Sequence, residues 1–115
     1  MSEREIEQIE INIKDAHAVV KKGNDLLALQ SNKHFKSLIN EEYFEKEAIR
    51  LVHLRSTPAY QSPEKQADVL REMDGIGALR EWFRSVMHFA HMADKAINEG
   101  EATIDEIRAE ALEEE

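Results

Sequence analysis

A chain of 115 residues, 34% charged and 42% apolar, is long enough for one compact domain, too short for two and too apolar to stay disordered; two prolines and 6% aromatics favour helices over a β-sandwich. It has no cysteine, which excludes disulfides, thiol catalysis and thiolate-bound zinc, and no apolar run near the ~20 residues of a membrane helix. Net charge is −9, of which residues 99–115 carry −7 and the rest −2, a balance that excludes a general nucleic-acid binder, whose affinity needs many basic residues.

The acidic start, MSEREIEQ, lacks the apolar stretch of a signal peptide, so residence in the cytoplasm is the expectation. Ser2 and Glu5 have capping-box spacing and open the first helix. Ile6, Ile9, Ile13, Ala16, Val20 and Leu27 then step by three and four, with Gly23 in the remaining slot: a seam of period 3.5. Gly23-Asn24 either ends this helix or only weakens it; the apolar Leu26, Leu27 and Leu29 carry the expected helix to about residue 30.

Asn32 is placed to cap a segment carrying Phe35, Leu38 and Ile39. Asn40-Glu41-Glu42 interrupts the apolar face before Tyr43, Phe44, Ala48, Leu51 and Val52 resume it, so residues 33–55 form either one helix or two. In STPAYQS, residues 56–62, Pro58 forces Thr57 out of helical geometry. Ser62-Pro63 restarts a helix, with a capping serine and proline at the first helical position. A long helix is expected from there to Asn98, stopped by Glu99-Gly100. Thr103 and Glu106 form a second capping box and open a short acidic helix with Ile104, Ile107 and Leu112.

Gly75 and Gly77 sit inside the long helix, in DGIGALREWF. A phosphate loop is excluded by context, since no strand precedes them and no third glycine or lysine follows. A hinge capped by Asp74 is one alternative. Close packing is the other, because Ile76, Leu79, Phe83, Val86, Ala90, Ala93 and Ile97 keep a seam through the glycines. One position ahead runs a second row: Gly75, Ala78, Trp82, Ser85, Phe89, Met92 and Ala96. One seam fills a core, and the second row must meet another surface. Gly75, Ala78, Trp82, Phe89 and Met92, with Tyr43, are therefore the candidate interaction residues.

Other constellations carry less chemistry. His88 and His91 are three apart with Asp94 beyond, but no HExxH or di-iron pattern completes a ligand set, so neither metal nor cofactor is expected. Arg80, Arg84, His88, His91 and Lys95 form a basic stripe beside Glu81 and Asp94, fit either for an acidic partner or for an ordinary solvated face. Glu41, Glu42, Glu45 and Glu47 show no sign of the burial that acid–base catalysis requires, and no serine has a histidine and an acid arranged around it.

The stretch NKHFKSLINEEYFEKEAIRLVHL, the proline loop and QADVLREMDGIGALREWF resemble small, mostly uncharacterised helical proteins of tailed bacteriophages, over roughly residues 5–98. The resemblance implies a virion or assembly role, in host cytoplasm or virion, and supplies no catalytic residues. The expected fold is all-α: a three-helix antiparallel bundle over residues 1–98, with one long central helix, and a short acidic C-terminal helix in an extension, 99–115. The expected function is non-enzymatic contact with itself or with other phage structural proteins, without direct nucleic-acid or membrane binding. The alternative is a regulatory or anti-defence protein that uses its acidic tail against a host protein.

Overall fold

The computed structural model describes residues 2–114; Met1 and Glu115, the outer ends of the two expected segments, lie outside the described residues. Every element is helical, and no strand occurs among the described residues. In chain order these are α1 (Ser2–Gln30), α2 (Lys33–Phe35), a π-type stretch (Lys36–Glu47), α3 (Ala48–Ser56), a 3-10 turn (Pro58–Tyr60) and α4 (Pro63–Glu113). They group into two compact units. One joins the chain up to Leu26 with the chain from Val86 onward, and the other is Leu27–Ser85, so α4 contributes to both.

In the first unit α1 runs against the later part of α4 in the opposite direction. Ile6 lies by Ile107, Ile9 and Ile13 by Gly100, and Gly23 by Ala90. The seam read from α1 faces inward at Ile6, Ile9, Ile13, Ala16, Val20 and Gly23, but at its end Leu26 is buried and Leu27 exposed. The α4 seam is inward too, and it continues past Ile97 through Gly100, Ile104 and Ile107.

Helix α1 spans Ser2–Gln30, so Ser2 is helical rather than a cap, and the helix passes through Gly23-Asn24 to the expected end near residue 30. Glu99-Gly100 does not stop α4, and the short acidic fourth helix is the continuation of the long one. Gly100 occupies a seam position where α1 comes close: a Cβ there would lie 3.1–3.2 Å from Ile13 and Ile9 side-chain atoms. Burying Ile104 beyond it is worth about 1.5–3 kcal/mol, more than the roughly 1 kcal/mol that a helical glycine costs. Thr103 accordingly does not cap; its hydroxyl donates back to the Glu99 carbonyl at 2.8 Å, a helix-interior bond.

The second unit is a hairpin of helical segments closed by the proline loop. Its core is Leu51, Val69 and Ile76, covered by Tyr43, Phe44, Ala48, Leu54, Tyr60 and Met73. Phe83 packs against Phe35 at 5.7 Å and Phe44 at 6.0 Å between ring centres. Asn32 caps as expected, its Oδ1 accepting from the amides of His34 and Phe35. Residues 33–56 are helical throughout, but not uniformly α. The pairs Ile39/Asn40, Tyr43/Phe44 and Glu47/Ala48 turn inward every four residues, a longer period than 3.6, and the backbone over Lys36–Glu47 is wound more widely to match.

The loop is built from the groups its sequence named. Thr57 is extended ahead of Pro58, and Ser62 Oγ accepts from the Lys65 amide at 3.3 Å as α4 begins at Pro63. The Arg55 carbonyl at the end of α3 is met by side-chain amides, which also tie the loop carbonyls. Gln61 donates to the Arg55 and Thr57 carbonyls, both at 2.9 Å. Gln66 donates to Arg55 at 2.9 Å and Tyr60 at 2.7 Å.

Candidate functional site

With the seam turned inward, the second row of α4 turns outward. In the first unit Phe89 is 60% exposed and Met92 51%, and Ala96 beyond them is exposed as well. The row is uncharged from Ser85 to Ala96, and Glu99 follows. The opposite flank of the same helix carries His91, Asp94, Glu101, Asp105 and Arg108, and Arg108 pairs with Glu10 across to α1 at 3.7 Å. On the side of the row, a groove of about 260 Å³ opens between the helices, lined by Ile9, Asn12, Ile13, Ala96, Glu99 and Gly100. Its polar edge carries the Glu99 carboxylate, which Lys95 reaches at 4.0 Å, and Asn12, which accepts from the Gln8 amide at 3.1 Å.

In the second unit Trp82 is 51% exposed, its ring 5.7 Å from that of Phe83. Gly75 and Ala78 are also at the surface. Tyr43 belongs instead to the covering of the core; its hydroxyl lies 3.8 Å from where a Gly75 Cβ would sit, an ordinary contact. Gly77 has nothing within 4 Å of such a position. It borders a groove of about 220 Å³ with Phe44, Ala48, Val52, Met73, Ile76 and Arg80.

Within the chain, therefore, helices approach closely at Gly23 and Gly100, and not at Gly75 or Gly77. A Cβ on Gly23 would overlap that of Ala90. Gly23 and Gly100 each fall on a seam position, whereas Gly75 and Gly77 flank one.

The basic residues are spread over separate settings. In the second unit Arg84 donates twice to the Glu81 carboxylate, which holds Glu81 below the ordinary carboxylate value and Arg84 above its own; Arg80 lies over the Phe44 ring, 6.0 Å from its centre. In the first unit His88 meets the Phe89 ring edge-on at 5.6 Å, His91 is exposed, and Lys95 reaches Glu99 at 4.0 Å. The acidic cluster of the second unit is similarly occupied. Glu42 pairs with Lys46 at 3.0 Å, raising the lysine pKa, and Arg50 hydrogen-bonds Glu47, lowering the glutamate's. These pairs are exposed, so water screens them and each contributes little. Among the described residues no three His, Asp or Glu side chains converge to hold a metal ion, and no helix is long and apolar enough to cross a membrane.

No family model matches the chain, and no curated protein or solved structure matches it.

Proposed function

We propose that this chain is a non-enzymatic interaction and assembly protein that works by helix packing, self-association included. The observation that carries this is the outward row of α4. Phe89 and Met92 in one unit, and Trp82 in the other, leave half or more of their surface in water. Large aromatic and methionine side chains are the types enriched where proteins meet. The inward side supports the same conclusion. Among the described residues only Leu26, Leu51, Val69, Ile76, Val86, Ala90, Ile97 and Ile104 are buried hydrophobic side chains, a thin core for so much helix. Together with the resemblance to small phage proteins, this favours a virion-associated or morphogenetic role, made in host cytoplasm, with copies of itself or other phage structural proteins as partners. An antiparallel bundle of three helices over residues 1–98 belongs to the same reading.

Solution mass tests the proposal. Light scattering across a concentration series should give more than the monomer mass of 13.3 kDa, and Trp82→Glu should weaken association while leaving helicity intact. A fully helical, stable monomer at every concentration, in both proteins, removes self-association.

One observation favours the regulatory alternative. Beyond the seam, Glu110, Glu113 and Glu114 are exposed around Leu112, itself 71% exposed, so the acidic end presents both charge and an apolar anchor. Deleting residues 99–115 would also remove Ile104 and Ile107 from the core. Changing Glu110, Glu113 and Glu114 to Gln is the cleaner discriminator: it abolishes binding to a basic partner and spares assembly through the α4 row.

A further inference from the structure

We infer that the groove bordered by Gly77 and Arg80 in the second unit receives the C-terminal end of a second copy of this chain. Leu112 of that copy enters the groove, and a carboxylate beside it meets Arg80. This rests on the self-association proposed above and names a contact for it.

The groove is apolar with a single cation. Phe44, Ala48, Val52, Met73 and Gly77 are among its walls, and Arg80 is the one charged residue of its lining. It is open at the glycine wall, where nothing lies within 4 Å of the place a Cβ would take. Arg50, Arg71 and Arg84 are tied to carboxylates. Arg80, by contrast, is in no ion pair among the described residues and rests over the Phe44 ring, 6.0 Å from its centre. A guanidinium held on a ring face keeps its fork of N–H donors for a carboxylate. Apolar walls with one such cation at the rim suit a segment in which an aliphatic side chain stands beside an acid.

The end of this chain is such a segment. Residues 99–115 carry −7 and the rest −2, so one tail repels another and is drawn to the body only at a cation. In the last turns of α4, Ala109 and Leu112 lie one turn apart on one side of the helix, with Asp105 and Glu113 four residues before and after Ala109. All four are exposed, and neither acid is in an ion pair among the described residues. In the single chain Leu112 is 71% exposed and Val52, in the groove, 53%, so neither surface covers the other and the contact lies between copies. A helix that puts an apolar anchor into a groove while its acid meets an arginine combines two common modes of peptide recognition. Because the groove and the tail are different surfaces, each copy gives one tail and receives another. Copies then add in series, closing into a ring or extending as a chain, which suits an assembly protein.

Charge exchange in the full chain, read by sedimentation over a concentration series, tests the contact. Arg80→Glu in one protein, and Asp105→Lys with Glu113→Lys in another, should each weaken self-association about ten-fold or more. An equimolar mixture of the two should recover it, since each tail then meets a groove of opposite charge. Gly77→Met fills the groove from a wall with free space, and should weaken association as much with helicity kept. Leu112→Asp should do the same from the tail, at a position exposed in the single chain. An associating wild type that Arg80→Glu and Gly77→Met leave unchanged overturns the groove and leaves self-association standing. Weakening by those two, with Leu112→Asp inert and no recovery in the mixture, gives the groove another occupant and overturns the tail. A wild type monomeric at all concentrations overturns both this contact and self-association.

Discussion

Replacing Gly23 by alanine sets two effects of known sign against each other. Helix propensity alone favours the change by about 1 kcal/mol, because alanine restricts the unfolded chain and glycine does not. Packing opposes it. The added Cβ would overlap the Cβ of Ala90, which sits on backbone and cannot swing aside, while carbon atoms rest at about 3.5–4.0 Å. The helices must part by more than about 1 Å at that point, and overpacking of this kind costs about 1–3 kcal/mol. The net expectation is a loss of roughly 1 kcal/mol. Gly77→Ala is the control, since nothing lies within 4 Å of its added methyl, and it should gain about 1 kcal/mol from propensity alone. The two variants should therefore separate by about 2 kcal/mol, or roughly 8 °C in Tm for a chain of this size. Urea and thermal unfolding followed by circular dichroism measure the difference, at one protein concentration because association shifts Tm. An Ala90→Gly change should recover most of the loss. Gly23→Ala raising stability as much as Gly77→Ala would refute the close helix crossing.

Three further outcomes follow from the same packing. Leu51 is fully buried, at 0% exposure, so Leu51→Ala should cost about 2–5 kcal/mol, whereas Leu112→Ala at an exposed position should stay within about 0.5 kcal/mol; equal effects in urea titrations would contradict the assigned core. Glu47 and Glu81 are held below the ordinary glutamate value of 4.5 by hydrogen bonds from Arg50 and Arg84. Their contribution is present above that value and is lost as pH falls through their lowered folded values, so from these two groups stability should hold from neutrality to about pH 5.5 and decline below 4.5; Glu81→Gln should make the acid limb slightly shallower. Gly100→Ala brings a methyl to 3.1–3.2 Å from Ile13 and Ile9, side chains that can yield, so its effect should fall between those of Gly23→Ala and Gly77→Ala in the same unfolding assay.

Much of this architecture was legible because helical periodicity is a local property. The seam from Ile76 to Ile97, the cap at Asn32, the extended Thr57 and the Ser62-Pro63 restart all follow from spacing, from proline's missing amide and from side-chain oxygens near orphan donors. The outward position of Phe89 and Met92 followed from the same count, one residue out of step with the seam. Residues 33–56 were not decidable at a period of 3.6 because their inward residues recur every four, and the backbone widened to suit them.

The sequence by itself determined that the chain is helical and which side of each helix is apolar. Only the tertiary structure decided what the glycines do. Glycine is a helix breaker in isolation, and on that basis Glu99-Gly100 reads as a stop, while Gly23 reads either as a seam slot or as an interruption. In the folded chain a neighbouring helix lies against both and stabilises the continuous helices through Ile9, Ile13, Ala90 and Ile104, whereas Gly75 and Gly77 meet no such close approach within the chain. A residue without a side chain carries no pattern of its own; its role is set by the distance to its neighbour, which exists only once the helices have packed.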